Sequence, residues 1–208
     1  LDILWYDIRD DYPSTSFFIE SMALIEDVDP NAEPGTGNAR DVIYVDTDPL
    51  LVGPQFGLND VSRATAAALQ RFIHLGTDPD EETFIAAGLA DVAGILNGYR
   101  GAGNLYLLFP GEHNIELFSW SGFLGDLQRA SLFSLYIKEQ LGLEALRDLV
   151  ADTTNGSDGI SNILATYGSG RSLIDFVADF HTANALNRPD VDSKWGYLSD
   201  EQASVGIS

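Results

Sequence analysis

Few side chains in this sequence are suited to chemistry. The chain has no cysteine, which excludes disulfides, thiolate metal sites and thiol nucleophiles. Its three histidines are His74, His113 and His181. His113 lies between Glu112 and Glu116 in a turn-rich stretch, where a solvated loop is a better interpretation than a metal site. The other two fall in helical patterns, and we expect each to pack or to cap a carbonyl rather than to catalyse.

The carboxylates are far more numerous than the cations. The 32 acidic and 11 basic residues give a net charge of −21, which repels nucleic-acid phosphates and anionic lipids. We therefore expect no nucleic-acid binding. The acidic groups Asp7 with Asp10-Asp11, and Glu26-Asp27 with Asp29, predict solvated loops and at most weak Ca²⁺ binding. A carboxylate-based hydrolase, with a raised carboxyl pKa in a cleft, stays open as an alternative. So does a Ser-His-Asp triad, whose members meet only in space.

One stretch, Asp152 to Gly159, superficially resembles a calcium loop. Its acidic and amide side chains do not fall at the alternating positions that an EF-hand needs. We predict a tight turn between two helices there, and no metal site.

The length and composition predict one α+β domain covering residues 1–208. The hydrophobic share of 45% is typical of a folded protein. We expect mainly strands over 1–58, mainly helices over 59–187 and an irregular tail over 188–208. No apolar run is long enough to cross a bilayer, so no membrane insertion is expected. Because the chain does not begin with Met, we expect a mature or excised segment.

Strand patterns cluster at the N-terminal end. Apolar and aromatic residues dominate Leu1 to Asp7, Phe17 to Ile25, and Asp41 to Asp46. These three segments predict a small mixed β-sheet. A further apolar run, Leu105 to Leu108, is a candidate edge strand.

Helical periodicity begins near Asn59, which we predict to be an N-cap, and continues to Gly76. A second helix is predicted over 79–97, with Asp78 as N-cap, Pro79 at its first position and Glu81 at its third. Further helices are predicted at four places: 125–141, 143–150, 160–167 and one that begins at Ser172 with Asp175 completing its cap.

The two central helices carry an ordered series of residues that resembles a known active site. Gln70, Ile73 and His74 fall on the first helix, the pairs Asp78-Pro79 and Glu81-Glu82 between the helices, and Gly88-Leu89 on the second. This series resembles secreted bacterial zinc metallopeptidases of the gluzincin type, the hyicolysin-like group. In that family the first helix carries His-Glu-Phe-Gln-His and the second carries Asn-Glu-Gly-Leu. The resemblance extends without a gap over roughly residues 41–197.

The resemblance also locates what this chain lacks. The family's three zinc ligands fall on Ala67, Arg71 and Ala87, and its general base falls on Ala68. Alanine has no lone pair for a metal, and arginine places a permanent cation where a dication would sit. The resemblance therefore implies a degenerate member with no catalytic residue, no zinc and no other cofactor.

These expectations favour a catalytically inactive extracellular or cell-surface protein. It would keep a peptidase scaffold for binding another protein or for self-association, as part of a surface layer, a filament or a complex. Two alternatives stay open. One is a hydrolase that uses a site without zinc, and the other is an inactive module excised from a larger secreted protein.

Overall fold

A computed structural model describes residues 1–14, 18–29, 31–99 and 116–197. It confirms the α+β class: a three-stranded mixed sheet accompanies a mostly helical body. Contacts divide the described residues into two compact units. The N-terminal unit contains residues 1–79 and 89–99, and the C-terminal unit contains residues 80–88 and 116–197.

The sheet belongs to the N-terminal unit. Its strands are β1 (Asp2–Tyr6), β2 (Ser21–Met22) and β3 (Val42–Asp46). The central strand β3 pairs in parallel with β1 and antiparallel with β2. The predicted second strand was too long: residues 18–20 and 23–24 form no regular element, and a short helix, α1 (Ile25–Val28), begins at its last residue. The candidate strand over 105–108 lies outside the described residues.

All five residues of β3 are buried. Because successive side chains of a strand point to opposite sides, both faces of this strand are covered. On one face Val45 packs with Leu50 and with Val61 and Ala64. The last two lie on α2 (Leu58–Thr77), the long helix of this unit. These contacts hold α2 against the sheet. On the other face of β3, Val42 and Tyr44 pack against Ile8.

The predicted helix boundaries between residues 57 and 83 were wrong in two respects. Gly57, and not Asn59, is the N-cap of α2, and the Gly57 N–H donates to Asp60 Oδ2 at 2.9 Å. Asp78 ends α2 instead of starting the next helix, because its N–H donates to the His74 carbonyl at 2.7 Å. That next helix, α3 (Thr83–Leu96), begins four residues later than predicted.

The C-terminal unit is built from helices around an aromatic core. Besides the first turns of α3 it contains α4 (Leu124–Leu141), α5 (Leu143–Ala151), α6 (Gly156–Tyr167) and α7 (Leu173–Leu186). Phe133 of α4 is fully buried and lies 5–6 Å, ring centre to ring centre, from four other phenylalanines: Phe84, Phe118, Phe176 and Phe180. A 3-10 turn, Ser193–Trp195, follows in the segment predicted as an irregular tail.

Most of the predicted helix ends in this unit are confirmed. Gly142 ends α4 with φ 91°, a backbone angle that glycine adopts without strain. Ser172 caps α7 by accepting the Asp175 N–H at 3.2 Å. Helix α6 begins four residues earlier than predicted, at Gly156. None of the described helices is long and apolar enough to cross a membrane.

Candidate functional site

Helix α2 carries three of the four positions at which the resemblance expects catalytic residues. Ala67 and Arg71 lie one turn apart on the same side of the helix and are partly buried. Ala68 is 2% exposed and belongs to the core of the N-terminal unit. Two methyl groups and a guanidinium offer no lone pair to a metal. This part of α2 can pack and carry positive charge, but it cannot coordinate zinc.

The fourth position, Ala87, lies on the part of α3 that belongs to the C-terminal unit. It is partly buried, between the buried residues Ala86 and Gly88. A Cβ atom on Gly88 would lie 2.6 Å from the Ala130 carbonyl oxygen and 2.7 Å from Ser134 Oγ on α4. Only glycine allows the two helices to approach so closely. The glycine of the family pattern is thus needed for packing, while the residue before it offers no ligand.

His74 lies in the last turn of α2 and is 1% exposed. Neither ring nitrogen has a hydrogen-bond partner, so the residue packs and does not cap a carbonyl with its side chain. Burial, and next the positive charge of Arg71, lower the pKa of His74 to about 4. The imidazole is therefore neutral at pH 7.

His74 also has a buried carboxylate nearby in the same unit. Asp78 follows it by one helical turn, and a potential ligand atom of each lies within 4.8 Å of the other. Neutral imidazole and carboxylate both bind zinc. This pair supplies two of the four ligands that a structural zinc ion takes.

A buried ion cluster links three segments of the N-terminal unit, and the sequence interpretation missed it. Arg63 on α2 donates from Nη1 to Asp91 Oδ1 at 2.9 Å, and from Nη2 to both carboxylate oxygens of Glu20. Gly94 leaves space for the arginine, since a Cβ there would lie 2.4 Å from Arg63 Cγ. One feature of the sequence could have indicated the cluster: Arg63 precedes Ala64, a residue on the apolar face of an amphipathic helix.

The electrostatics of this cluster explain why its members stay together. Burial raises the pKa of Glu20, and the positive charge of Arg63 opposes that shift. A single guanidinium faces two carboxylates, so removing it would leave the buried Asp91 and the partly buried Glu20 without a counter-charge. The cluster joins α2 and α3 to Glu20, the residue that precedes β2, and none of its groups is aligned as a nucleophile with a base.

Two of the acidic residues near the N-terminal end, Asp10 and Asp27, accept hydrogen bonds within the fold. Asp27 is 3% exposed and accepts hydrogen bonds from the Asn38 N–H at 2.5 Å and the Tyr44 hydroxyl at 2.7 Å. Asp10 accepts from the N–H groups of Tyr12 and Ile19. Weak calcium binding at these groups stays a prediction.

Asp46 is the carboxylate with the least access to solvent. It is 0% exposed, and its Oδ1 accepts the Ile8 N–H at 2.9 Å. Burial raises its pKa, against the effect of the hydrogen bonds that it accepts. A raised carboxyl pKa is one sign of a hydrolytic site. Here the group lies within the sheet core, where a substrate has no access.

The turn predicted over Asp152–Gly159 is confirmed for residues 152–155 only, because residues 156–159 already belong to α6. Helix α5 ends at Ala151 and α6 begins at Gly156. Asp152 accepts from the Thr154 N–H at 2.9 Å and from Asn162 Nδ2 at 3.0 Å, and these bonds lower its pKa. Nearby, Glu81 accepts the Gly156 N–H at 2.7 Å, so this buried side chain serves the start of α6. His181 is exposed beside Phe180, and His113 lies outside the described residues.

The free edge of the sheet is the clearest exposed apolar feature of the described residues. All five residues of β1 are exposed, and four of them are large and apolar: Ile3, Leu4, Trp5 and Tyr6. Among the described residues β1 pairs with β3 alone. An edge of this kind is a place where another chain can pair.

Comparison with known proteins gives no independent assignment. No protein-family model matches this chain, and no curated protein matches it.

Proposed function

We propose that this protein is a catalytically inactive relative of gluzincin-type metallopeptidases that acts outside the cell or at its surface by binding another protein. One observation carries the proposal. The positions at which the resemblance expects three zinc ligands and a general base hold Ala67, Arg71, Ala87 and Ala68. All four would have to change to restore the chemistry.

The contrast between these positions and their neighbours supports the proposal. Gly88, one residue after Ala87, is needed for the close approach of α3 to α4. Ala68 lies in the core beside α2 residues that pack on the sheet. Residues that pack the helices are present and buried, whereas the zinc ligands and the general base of the family have no counterpart here. A scaffold of this kind suits a binding role.

The alternative of a carboxylate-based hydrolase has less support. Among the described residues of the N-terminal unit, Glu20 and Asp46 are carboxyl groups with a raised pKa. Glu20 is bound to Arg63, and Asp46 is wholly buried. Neither is placed to meet a substrate.

Metal analysis combined with a broad peptidase assay tests the proposal. The purified chain is incubated with excess zinc, freed of loose metal and analysed by mass spectrometry, and its hydrolysis of unfolded casein is followed. We expect no catalytic zinc and no hydrolysis above a buffer control. One bound zinc per chain together with zinc-dependent hydrolysis would disprove the proposal.

A further inference from the structure

The backbone of β1 has hydrogen-bonding groups on its outer side that pair with none of the described residues. Asp2 donates its N–H to the Asp41 carbonyl at 2.7 Å, and the Tyr6 carbonyl accepts the Thr47 N–H at 3.2 Å. Backbone groups of a strand alternate in direction, so Asp2, Leu4 and Tyr6 face β3. Ile3 and Trp5 therefore turn their N–H and C=O groups outward.

The side chains beside these groups are unusual for a free edge. Ile3, Leu4, Trp5 and Tyr6 are between 41% and 46% exposed. Because neighbouring side chains point to opposite faces, apolar surface is open on both sides of the strand. Natural proteins usually protect an edge with proline, inward charges or a covering segment. Within β1 the only charge is Asp2, at its first position.

Charge around the strand selects the kind of partner. Residues 1–11 contain four aspartates and one arginine, and Asp2 and Asp7, which flank the apolar run, are both exposed. These two positions are about 17 Å apart along an extended strand. Arg40 Nη1 lies 3.8 Å from Asp2 Oδ2, but both side chains of this pair are about 70% exposed, so an incoming cation can compete for Asp2. A cationic group near each end of an added strand would be attracted. A second copy of this chain would bring another net charge of −21 and would be repelled.

We propose that β1 binds an extended segment of another protein as a fourth strand, with apolar side chains in its middle and Lys or Arg at its ends. The backbone groups of Ile3 and Trp5 supply the pairing, and Asp2 and Asp7 attract the flanking cations. This inference rests on the proposed binding role and names its surface and its partner class.

A short peptide of defined sequence tests the inference. The probe is acetyl-Lys-Val-Thr-Val-Tyr-Lys-amide, added to the full chain at low salt, with binding followed by amide NMR shifts. We expect saturable binding, with hydrogen exchange at the Ile3 and Trp5 amides slowed by at least about tenfold, as for newly formed strand pairing. The Leu4 and Tyr6 amides already face β3 and should change less.

Two substitutions separate backbone pairing from side-chain contact. Trp5→Pro removes an outward N–H without touching a bond to β3, a change that edge strands tolerate. Trp5→Val removes the ring but keeps the N–H. We expect Trp5→Pro to weaken binding by at least about tenfold, and Trp5→Val to weaken it clearly less. A probe with N-methyl groups at alternate residues gives the same test if Trp5→Pro alters the unfolding midpoint.

The other outcomes overturn the inference. These are no binding by the native chain, binding that survives both Trp5→Pro and N-methylation, or equal losses in the two Trp5 variants. Equal binding of a probe with Glu in place of Lys would show that Asp2 and Asp7 do not select a cationic partner. Protection of Ile3 and Trp5 by dimerisation, without peptide, would assign the edge to a second copy. None of these results bears on whether the chain binds a catalytic zinc, so the proposed inactivity is tested separately.

Discussion

Arg63 and Asp91 form a buried ion pair, with 2.9 Å between Arg63 Nη1 and Asp91 Oδ1. Glu20 completes the cluster on the other side of the guanidinium. Removing the arginine leaves two carboxylates without a counter-charge. We therefore expect Arg63→Met to lower the free energy of unfolding by about 3–5 kcal/mol at pH 7. Chemical denaturation followed by circular dichroism measures this change.

A matched control for that prediction is available on α5. Arg147 pairs with Glu144 at 2.5 Å, but both side chains are about two-thirds exposed. Arg147→Met should cost less than about 1 kcal/mol. Similar losses in the two variants would mean that burial of the Arg63 cluster contributes nothing special. Adding Glu20→Gln to Arg63→Met should recover part of the lost stability, because one of the two uncompensated charges is removed.

The burial of His74 predicts a specific dependence of stability on pH. Its pKa is about 4 in the folded chain, against about 6.5 in an unfolded one. Between these values the unfolded state binds a proton that the folded state does not, so stability falls as the pH falls. From pH 7 to pH 5 this single group should remove about 2 kcal/mol from the free energy of unfolding.

Histidine-to-glutamine variants isolate that contribution. His74→Gln should lose about 2 kcal/mol less than the native chain between pH 7 and pH 5, whatever its stability at pH 7. His181→Gln alters an exposed histidine on α7 and should keep the native pH dependence. Denaturation curves at the two pH values suffice. An unchanged pH dependence in His74→Gln would show that this imidazole is not buried neutral.

Two helical glycines should respond to alanine in opposite ways. At Gly88 a new Cβ would lie 2.6 Å from the Ala130 carbonyl oxygen, whereas at Gly76 in α2 nothing lies within 4 Å. Gly88→Ala should destabilise by about 1–3 kcal/mol through overpacking. Gly76→Ala should stabilise by about 0.4–1 kcal/mol, because alanine favours helix. Thermal unfolding compares them directly, and tolerance of Gly88→Ala would refute the close contact between α3 and α4.

Capping residues predicted several helix ends correctly. Ser172 with Asp175 gave the start of α7, and Gly142 gave the end of α4, because caps act within one turn. Asp78 misled the prediction for the same reason. An Asp before a proline is a typical helix start, but its N–H continues the hydrogen bonds of α2.

Features that depend on distant residues were beyond the sequence patterns. Arg63 meets Glu20 and Asp91 from positions 43 and 28 residues away, so no local spacing indicates the cluster. The burial of Asp46 also has no local sequence signal, because its hydrogen-bond partner Ile8 lies 38 residues away. The site hypothesis came from a resemblance between short motifs, and the geometry adds the packing role of Gly88 and the burial of Ala68.

A zinc titration that compares the native chain with two designed variants tests the central claim most directly. One variant, Ala67→His with Arg71→His, places two imidazoles one turn apart on α2. The other, Ala67→His with Arg71→Ala, keeps only one imidazole of that pair. Isothermal titration calorimetry at pH 7 measures zinc affinity and stoichiometry.

We expect the native chain to take up no zinc at the α2 positions to which the resemblance assigns ligands. The two-histidine variant should bind zinc at least about tenfold more tightly than the one-histidine variant, as a second correctly placed ligand implies. Stoichiometric zinc in the native chain that Arg71→Ala or Ala67→Ser alters, or no gain from the second histidine, would contradict the proposed inactivity.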